Sequence, residues 1–413
     1  MITQRVVINW VLVYLLLFLS GTWRFNLSAN KYLVLGFLVA LTAWFLFTDR
    51  KISDRFLFYA IVFTGFLFSL SLYTGGGITL LSVISALMKL LIAYFILKTV
   101  GSSFTETYIK LVVFLAVVSL FGYTTDKFYL FEGLVRKLPP VDEYGFEGIF
   151  YLYRFPWHIE RNNSIFFEPG AYQVFLNAAL FMLFFAKTSF GSRTIWVYIT
   201  ILVATLVTAF STTGFLIFAV MFFLFLLKSQ VASFTGKIVI IGIFFVVVGA
   251  FSTQFYSTFI VKLNDYLTAG EFETGGSARS RSNDSMTDLK IFRKHIFGVG
   301  YDNYVKEFSS VGRVFVEEGS SNGVTRTLAV MGLPFSLFLF GSFYWAIKKL
   351  LGDFMLASAA FGMVILFLAG ESYYVITPVS MAIIAAAFVF DRRSEKREPQ
   401  RDTRELPNQA EWP

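Results

Sequence analysis

Cysteine is absent from this 413-residue chain, and histidine occurs twice, at His158 and His295. The first absence excludes a disulfide framework, a thiolate metal site and a cysteine nucleophile. The second argues against a His-rich metal centre, and no metal or other cofactor is expected. Charge is scarce as well: Asp, Glu, Lys and Arg make up 15% of the residues, against 56% hydrophobic. A soluble domain of this size does not need so much apolar surface. Phenylalanine fills the gap, with 52 copies that add apolarity and no reactive group. The net charge of +8 follows the short loops and the tail, so it reads as a topology signal and not as a nucleic-acid footprint.

Apolar runs long enough to cross a ~30 Å hydrocarbon core recur along the chain. They are read at 6–22, 32–48, 56–73, 79–97, 106–123, 170–187, 195–210, 214–227, 237–253, 327–346, 354–370 and 373–390. The expected fold class is an all-α polytopic membrane protein of about twelve transmembrane helices. With an even count both termini share one side. If the N-terminus is inside, the inner segments carry eighteen Lys or Arg and the short outer loops two, Arg24 and Lys31. That bias sets both termini in the cytoplasm. The doubtful region is 195–227, where SerThrThrGly at 211–214 must be a turn between two short spans. One span there would move Lys348 and Lys349 outside, against the bias.

The integral membrane domain is thus 1–390, with two long extracytoplasmic segments, 124–169 and 254–326. The tail, 391–413, is charged and nearly without large apolar residues, so it reads as a disordered cytoplasmic anchor. No internal repeat is evident, and the first apolar run is a full span, not a cleaved signal. Inside the spans Lys89 is the one clear ionisable residue, suited to a carbonyl partner, a route to water or a function. Acidic residues at mid-depth, the mark of an ion-coupled carrier, are missing.

Polar chemistry gathers outside, in two places. The first is RNNSIFFEPG at 161–170. Pro169 suits the first turn of a helix, which puts Glu168 at the N-cap, where the helix dipole favours its ionised form. A carboxylate there either caps the helix or accepts a proton from a sugar hydroxyl. Arg161 is a candidate anion ligand or the partner of Glu160. The second is GGSARSRSNDSMTDLKIFRKHIFGVGYDNY at 275–304. Met286, Leu289, Phe292 and Ile296 recur at helical spacing, and Ser285 with Asp288 has the spacing of a capping box at the start. Gly298 ends the helix and Gly300 allows a second tight turn. Arg279 and Arg281 then lie just ahead of the helix, where guanidinium forks and free amides suit a diphosphate or a lipid headgroup. His295 is a candidate catalytic base or an ordinary surface histidine.

These elements resemble the Wzy-type polymerases of the O-antigen ligase and polymerase superfamily. The resemblance rests on Arg161 followed by Glu168-Pro169-Gly170 at the start of a span. It adds Ser280-Arg281 before a short helix ending in Gly298-Val299-Gly300, then Ser321-Asn322 opening a span with Gly332. It covers roughly 124–346. Ligases of the superfamily place a histidine where this chain has Ser321, and many relatives carry an arginine near the SerThrThrGly turn that is absent here.

The resemblance implies a GT-C-like membrane glycosyltransferase in the bacterial plasma (inner) membrane with its active site outside. The donor would be an undecaprenyl-diphosphate-linked glycan, and the product an O-antigen, capsular or exopolysaccharide. Glu168 and His295 are the implied catalytic candidates, and Arg161, Arg279, Arg281 and Asn322 the substrate and diphosphate ligands. Membrane lipid, a chain-length regulator and a flippase are the candidate partners. The rival readings are an O-antigen ligase using the same donor and a polysaccharide transporter or flippase.

Overall fold

The computed structural model describes residues 4–22, 31–47, 51–127, 136–137, 147–149, 152–154, 161–166, 168–228, 277–310 and 319–390. For the strands, and for 31–34, 46, 126–127 and 277–281, that description is of the backbone. The helices are α1 (Gln4–Phe18), α2 (Lys31–Phe47), α3 (Asp54–Tyr73), α4 (Leu80–Val100) and α5 (Phe104–Lys127). Three short antiparallel strands follow, β1 (Arg136–Lys137), β2 (Glu147–Ile149) and β3 (Leu152–Arg154). Then come α6 (Pro169–Phe185), α7 (Ser192–Ala209), α8 (Thr212–Lys228), α9 (Ser277–Lys294), α10 (Tyr301–Ser310), α11 (Gly323–Leu351), α12 (Phe354–Gly370) and α13 (Pro378–Val389).

Five stretches are long and apolar enough to cross a membrane: Asp54–Tyr73, Leu80–Thr125, Ser192–Ala209, Gly323–Leu351 and Ser372–Val389. Shorter apolar helices lie at Gln4–Phe18, Leu35–Phe45, Pro169–Phe185, Thr212–Lys228 and Phe354–Gly370. The chain is therefore the helical membrane protein its apolar runs predict. Helices occupy every expected span except 237–253, which lies outside the described residues, as does the tail 391–413.

The bundle centres on α4, where Leu90, Ile92, Ala93, Tyr94 and Ile96 are fully buried. Its main partner is α13, whose buried Ala382, Ala385 and Ala387 have side chains small enough for close backbone approach. Aromatic rings fill the gaps: Phe56 stacks on Tyr94 with centroids 3.7 Å apart.

Hydrogen bonds sort the helix ends into two groups. At one end Ser20 Oγ accepts the Val379 N–H, Asn162 N–H reaches Thr208 O, and Asn303 reaches Thr74 O. At the other, Asn9 meets Ser103, Glu106 accepts Ser189 N–H, Lys228 pairs with Asp353 at 2.6 Å, and Lys349 reaches Ala387 O. The 195–227 region is two helices, as expected. Phe210 adopts the left-handed conformation (φ 45°, ψ 43°) that ends α7, and α8 begins two residues later.

A kink in α11 joins the helices of the long segment to this bundle. Gly332 is non-helical (φ 75°, ψ 172°) and Pro334 lacks an N–H. Within a regular helix Leu333 N–H would bond Ala329 O, and residue 334 would bond Val330 O. Instead Leu333 N–H donates to Ile296 O at 2.8 Å, while Val299 and Gly300 donate to Ala329 O and Val330 O at 3.2 and 2.9 Å. The turn after α9 thus replaces the helix bonds that the kink removes. It approaches so closely that a Cβ on Gly298 would stand 2.6 Å from Gly332 N. The helix before this turn ends at Lys294, four residues ahead of Gly298, which was expected to end it; Gly298 and Gly300, with φ of 86° and 74°, shape the turn that follows.

A second expectation for this helix fails. It begins at Ser277, not at Ser285, so Arg279 and Arg281 lie inside its first turns and not ahead of it. Ser285 and Asp288 are not a capping box. Ser285 Oγ accepts Asn322 Nδ2–H, and Asp288 accepts Tyr304 O–H and Thr325 O–H. Tertiary partners on α10 and α11 claimed the side chains whose spacing suggested a local cap.

Candidate functional site

RNNSIFFEPG forms a buried plug and then a helix start. Asn162 donates its side-chain amide to Ser119 Oγ at 3.2 Å and Thr208 Oγ1 at 3.0 Å. Its Oδ1 accepts Ser164 N–H, and Ser164 takes a left-handed φ of 51°. Asn163 donates to Phe166 O at 2.9 Å. Phe166 is fully buried against Tyr172 and Phe175, with centroids 5.2 and 4.3 Å away. The two asparagines supply hydrogen bonds to backbone that has left water, and the phenylalanine supplies the packing.

Beyond the plug, Glu168 is the N-cap of α6 and Pro169 its first residue, as the sequence predicts. The Glu168 side chain makes no capping bond. A second carboxylate takes the position over that helix start. Glu371, buried at 5% exposure between α12 and the turn Ser372–Tyr374, lies against Gly170, where a Cβ would overlap its Oε1. The N-terminus of α6 thereby meets a negative group, which its dipole favours. The Tyr374 hydroxyl is buried with no hydrogen-bond partner among the described residues, and it lies within electrostatic reach of both carboxylates.

Arg326 completes the constellation. Asn322 caps α11, its Oδ1 accepting Val324 and Thr325 N–H, and so fixes the first turn that carries Arg326. Gly323 allows that turn to touch Leu368 O, at 2.6 Å from where a Cβ would stand. Arg326 then donates to Ser372 Oγ at 3.2 Å and Ser320 O at 3.4 Å, beside Glu371 in sequence. Its guanidinium carbon lies 5.2 Å from the Tyr301 ring centroid and 5.9 Å from that of Tyr304. Aromatic faces and neutral oxygens hold this cation in place.

Behind Arg326, Asp288 is fully buried, with Tyr304 Oη at 2.7 Å and Thr325 Oγ1 at 2.6 Å. Burial pushes its carboxyl up to about 6, against the opposing pull of those hydrogen bonds. Asp284 receives Ser321 Oγ–H at 3.2 Å. These acids fasten α9 to α11.

The structure brings Glu168 and Asn322 to one end of the bundle, with Asn322 as a cap whose amide also reaches Ser285. Arg161, half-buried, immediately precedes the docked Asn162. His295 has its Nε2 3.0 Å from Glu307 Oε1 on α10. The side chains of Arg279 and Arg281 lie outside the described residues. Sequence reasoning passed over Arg326 and Glu371, although each left a trace. Glu371 is the only Asp, Glu, Lys or Arg from 354 to 390, and Arg326 stands one residue before an expected span. Among the described residues no group of three His, Asp or Glu gathers to hold a metal. The sequence matches no protein-family model and no curated protein.

Proposed function

We propose that the chain is a Wzy-type polysaccharide polymerase, a GT-C-like glycosyltransferase of about twelve spans with its active site on the outer face of the bacterial plasma membrane. It joins undecaprenyl-diphosphate-linked repeat units. The observation that carries this reading is a chain of contacts linking Arg326 to the segments that carry Glu371 and Glu168, at one end of an apolar bundle. The contacts run Arg326 to Ser372, Ser372 to its neighbour Glu371, and Glu371 to Gly170 beside Glu168.

In the reaction an acceptor hydroxyl oxygen attacks the anomeric carbon of the donor sugar. The bond from that carbon to the diphosphate oxygen breaks, and the diphosphate leaves with the electron pair. Arg326, held by Tyr301, Tyr304 and Ser372, is placed to meet that negative charge. Glu168, which is not spent on capping, is the acceptor for the hydroxyl proton. Ser321 occupies the position of the ligases' histidine and is bonded to Asp284, which favours a polymerase over a ligase.

The test is the purified protein in nanodiscs given a lipid-linked repeat unit alone. A polymerase yields a ladder of products, and Glu168→Gln abolishes it while leaving the folded protein in the disc. A ladder from Glu168→Gln removes that residue's role. Wild-type protein that makes no ladder, yet transfers one glycan to a lipid A-core acceptor, is a ligase.

A further inference from the structure

The geometry points to α9 and the turn after it as a docking surface for the bilayer itself, gripping anionic phospholipid headgroups. The buried face of α9 carries Asp284, Asp288 and Ile291, while Met286 and Leu289 on the helix, and Ile296 and Phe297 in the turn after it, are exposed. Met286 is 48% exposed, Leu289 39%, Ile296 52% and Phe297 59%. Lys290, Arg293 and Lys294 are exposed on the same helix. Apolar side chains interleaved with exposed cations suit a membrane surface, the first inserting and the second meeting phosphate.

Depth supports the same occupant. The turn meets α11 at Leu333, whose N–H donates to Ile296 O. From Leu333 to Lys348, in the last turn of α11, the helix rises ~22 Å at ~1.5 Å per residue. That is shorter than a ~30 Å hydrocarbon core. With Lys348 and Lys349 marking one boundary, Ile296 and Phe297 reach α11 short of the opposite boundary, at a depth the bilayer itself occupies. The surface is also continuous with a spanning helix: the Phe297 ring meets that of Tyr73 at 6.0 Å, at the exposed end of α3. Tyrosine is favoured at that level of a bilayer.

The absence of cysteine allows single labels without background. Full-length Leu289→Cys and Ser310→Cys, each carrying a bimane, go into nanodiscs containing brominated phospholipid. Quenching at position 289 should exceed that at exposed Ser310, on α10, by at least about twofold. Exchanging phosphatidylglycerol for phosphatidylcholine should reduce it, as should a combined Lys290→Glu, Arg293→Glu and Lys294→Glu variant. Equal quenching at 289 and 310, or none at 289, overturns the docking surface. Quenching indifferent to headgroup charge and to the charge reversal overturns the anionic grip. The readout is depth, so it does not depend on the polymerase reading.

Discussion

The carboxylate of Glu371 lies against Gly170, so the end of α12 and the start of α6 interlock through one side chain and one missing Cβ. Gly170→Ala should therefore displace Glu371 and lower stability by about 1–3 kcal/mol, the usual cost of overpacking. Thermal unfolding in detergent measures it. Gly65→Ala, in the middle of α3 where an added Cβ would meet open space, should not lower the melting temperature. Equal melting of both variants would show that the contact does not hold the two helices.

Arg326 is the cation that the tertiary structure ties, through Ser372, to the turn that carries Glu371. Its replacement by alanine should lower the polymerisation rate by about 10²–10³, the typical loss for a preorganised donor. Arg326→Lys keeps the charge but not the flat guanidinium, whose Nη1 donates to both Ser320 O and Ser372 Oγ while the group lies by the Tyr301 and Tyr304 rings, so its rate should fall in between. Normal ladders from Arg326→Ala, with none from Arg281→Ala, would move the diphosphate contact to α9.

Asp288 should make the docking of α9 depend on pH. Its carboxyl rises from an ordinary 3.8 to about 6 in the folded protein. Between those values the native state holds a proton that the unfolded chain has released, so stability falls as pH rises. The loss is complete above about 6 and is on the order of 2–3 kcal/mol. Amide exchange in α9, corrected for intrinsic rate, should be slower at pH 5 than at pH 7. In Asp288→Asn that difference should disappear, since the amide stays neutral at both values. A persistent pH response in the asparagine variant would assign it to another group, with neighbouring Asp284 the first to test.

Gly332 holds a positive φ of 75° and lies against the backbone of Phe297. Alanine there meets both conformational strain and a collision with chain atoms, and should cost more than the ~1 kcal/mol of strain alone. The expected result is loss of exchange protection at Val299 and Gly300, whose N–H groups cap the open turn of α11. Protection unchanged in Gly332→Ala would mean that the kink does not depend on the glycine.

The sequence by itself determined the class of the protein and the position of nearly every helix. Apolar runs of spanning length leave a chain little choice in a bilayer, where each backbone group must bond within its own segment. The start of α6 was equally local, because Pro169 and Glu168 act within one turn. Phe210 ends α7 close to where SerThrThrGly announced a turn. Only the tertiary structure decided what surrounds Glu168. Arg326 and Glu371 carry no motif, and they gain meaning from Ser372 and Gly170, residues far away in the chain. The start of α9 was misread for the same reason. Ser285 and Asp288 have the spacing of a cap, but Asn322, Tyr304 and Thr325 bind them instead, and a spacing rule cannot anticipate partners supplied by other helices.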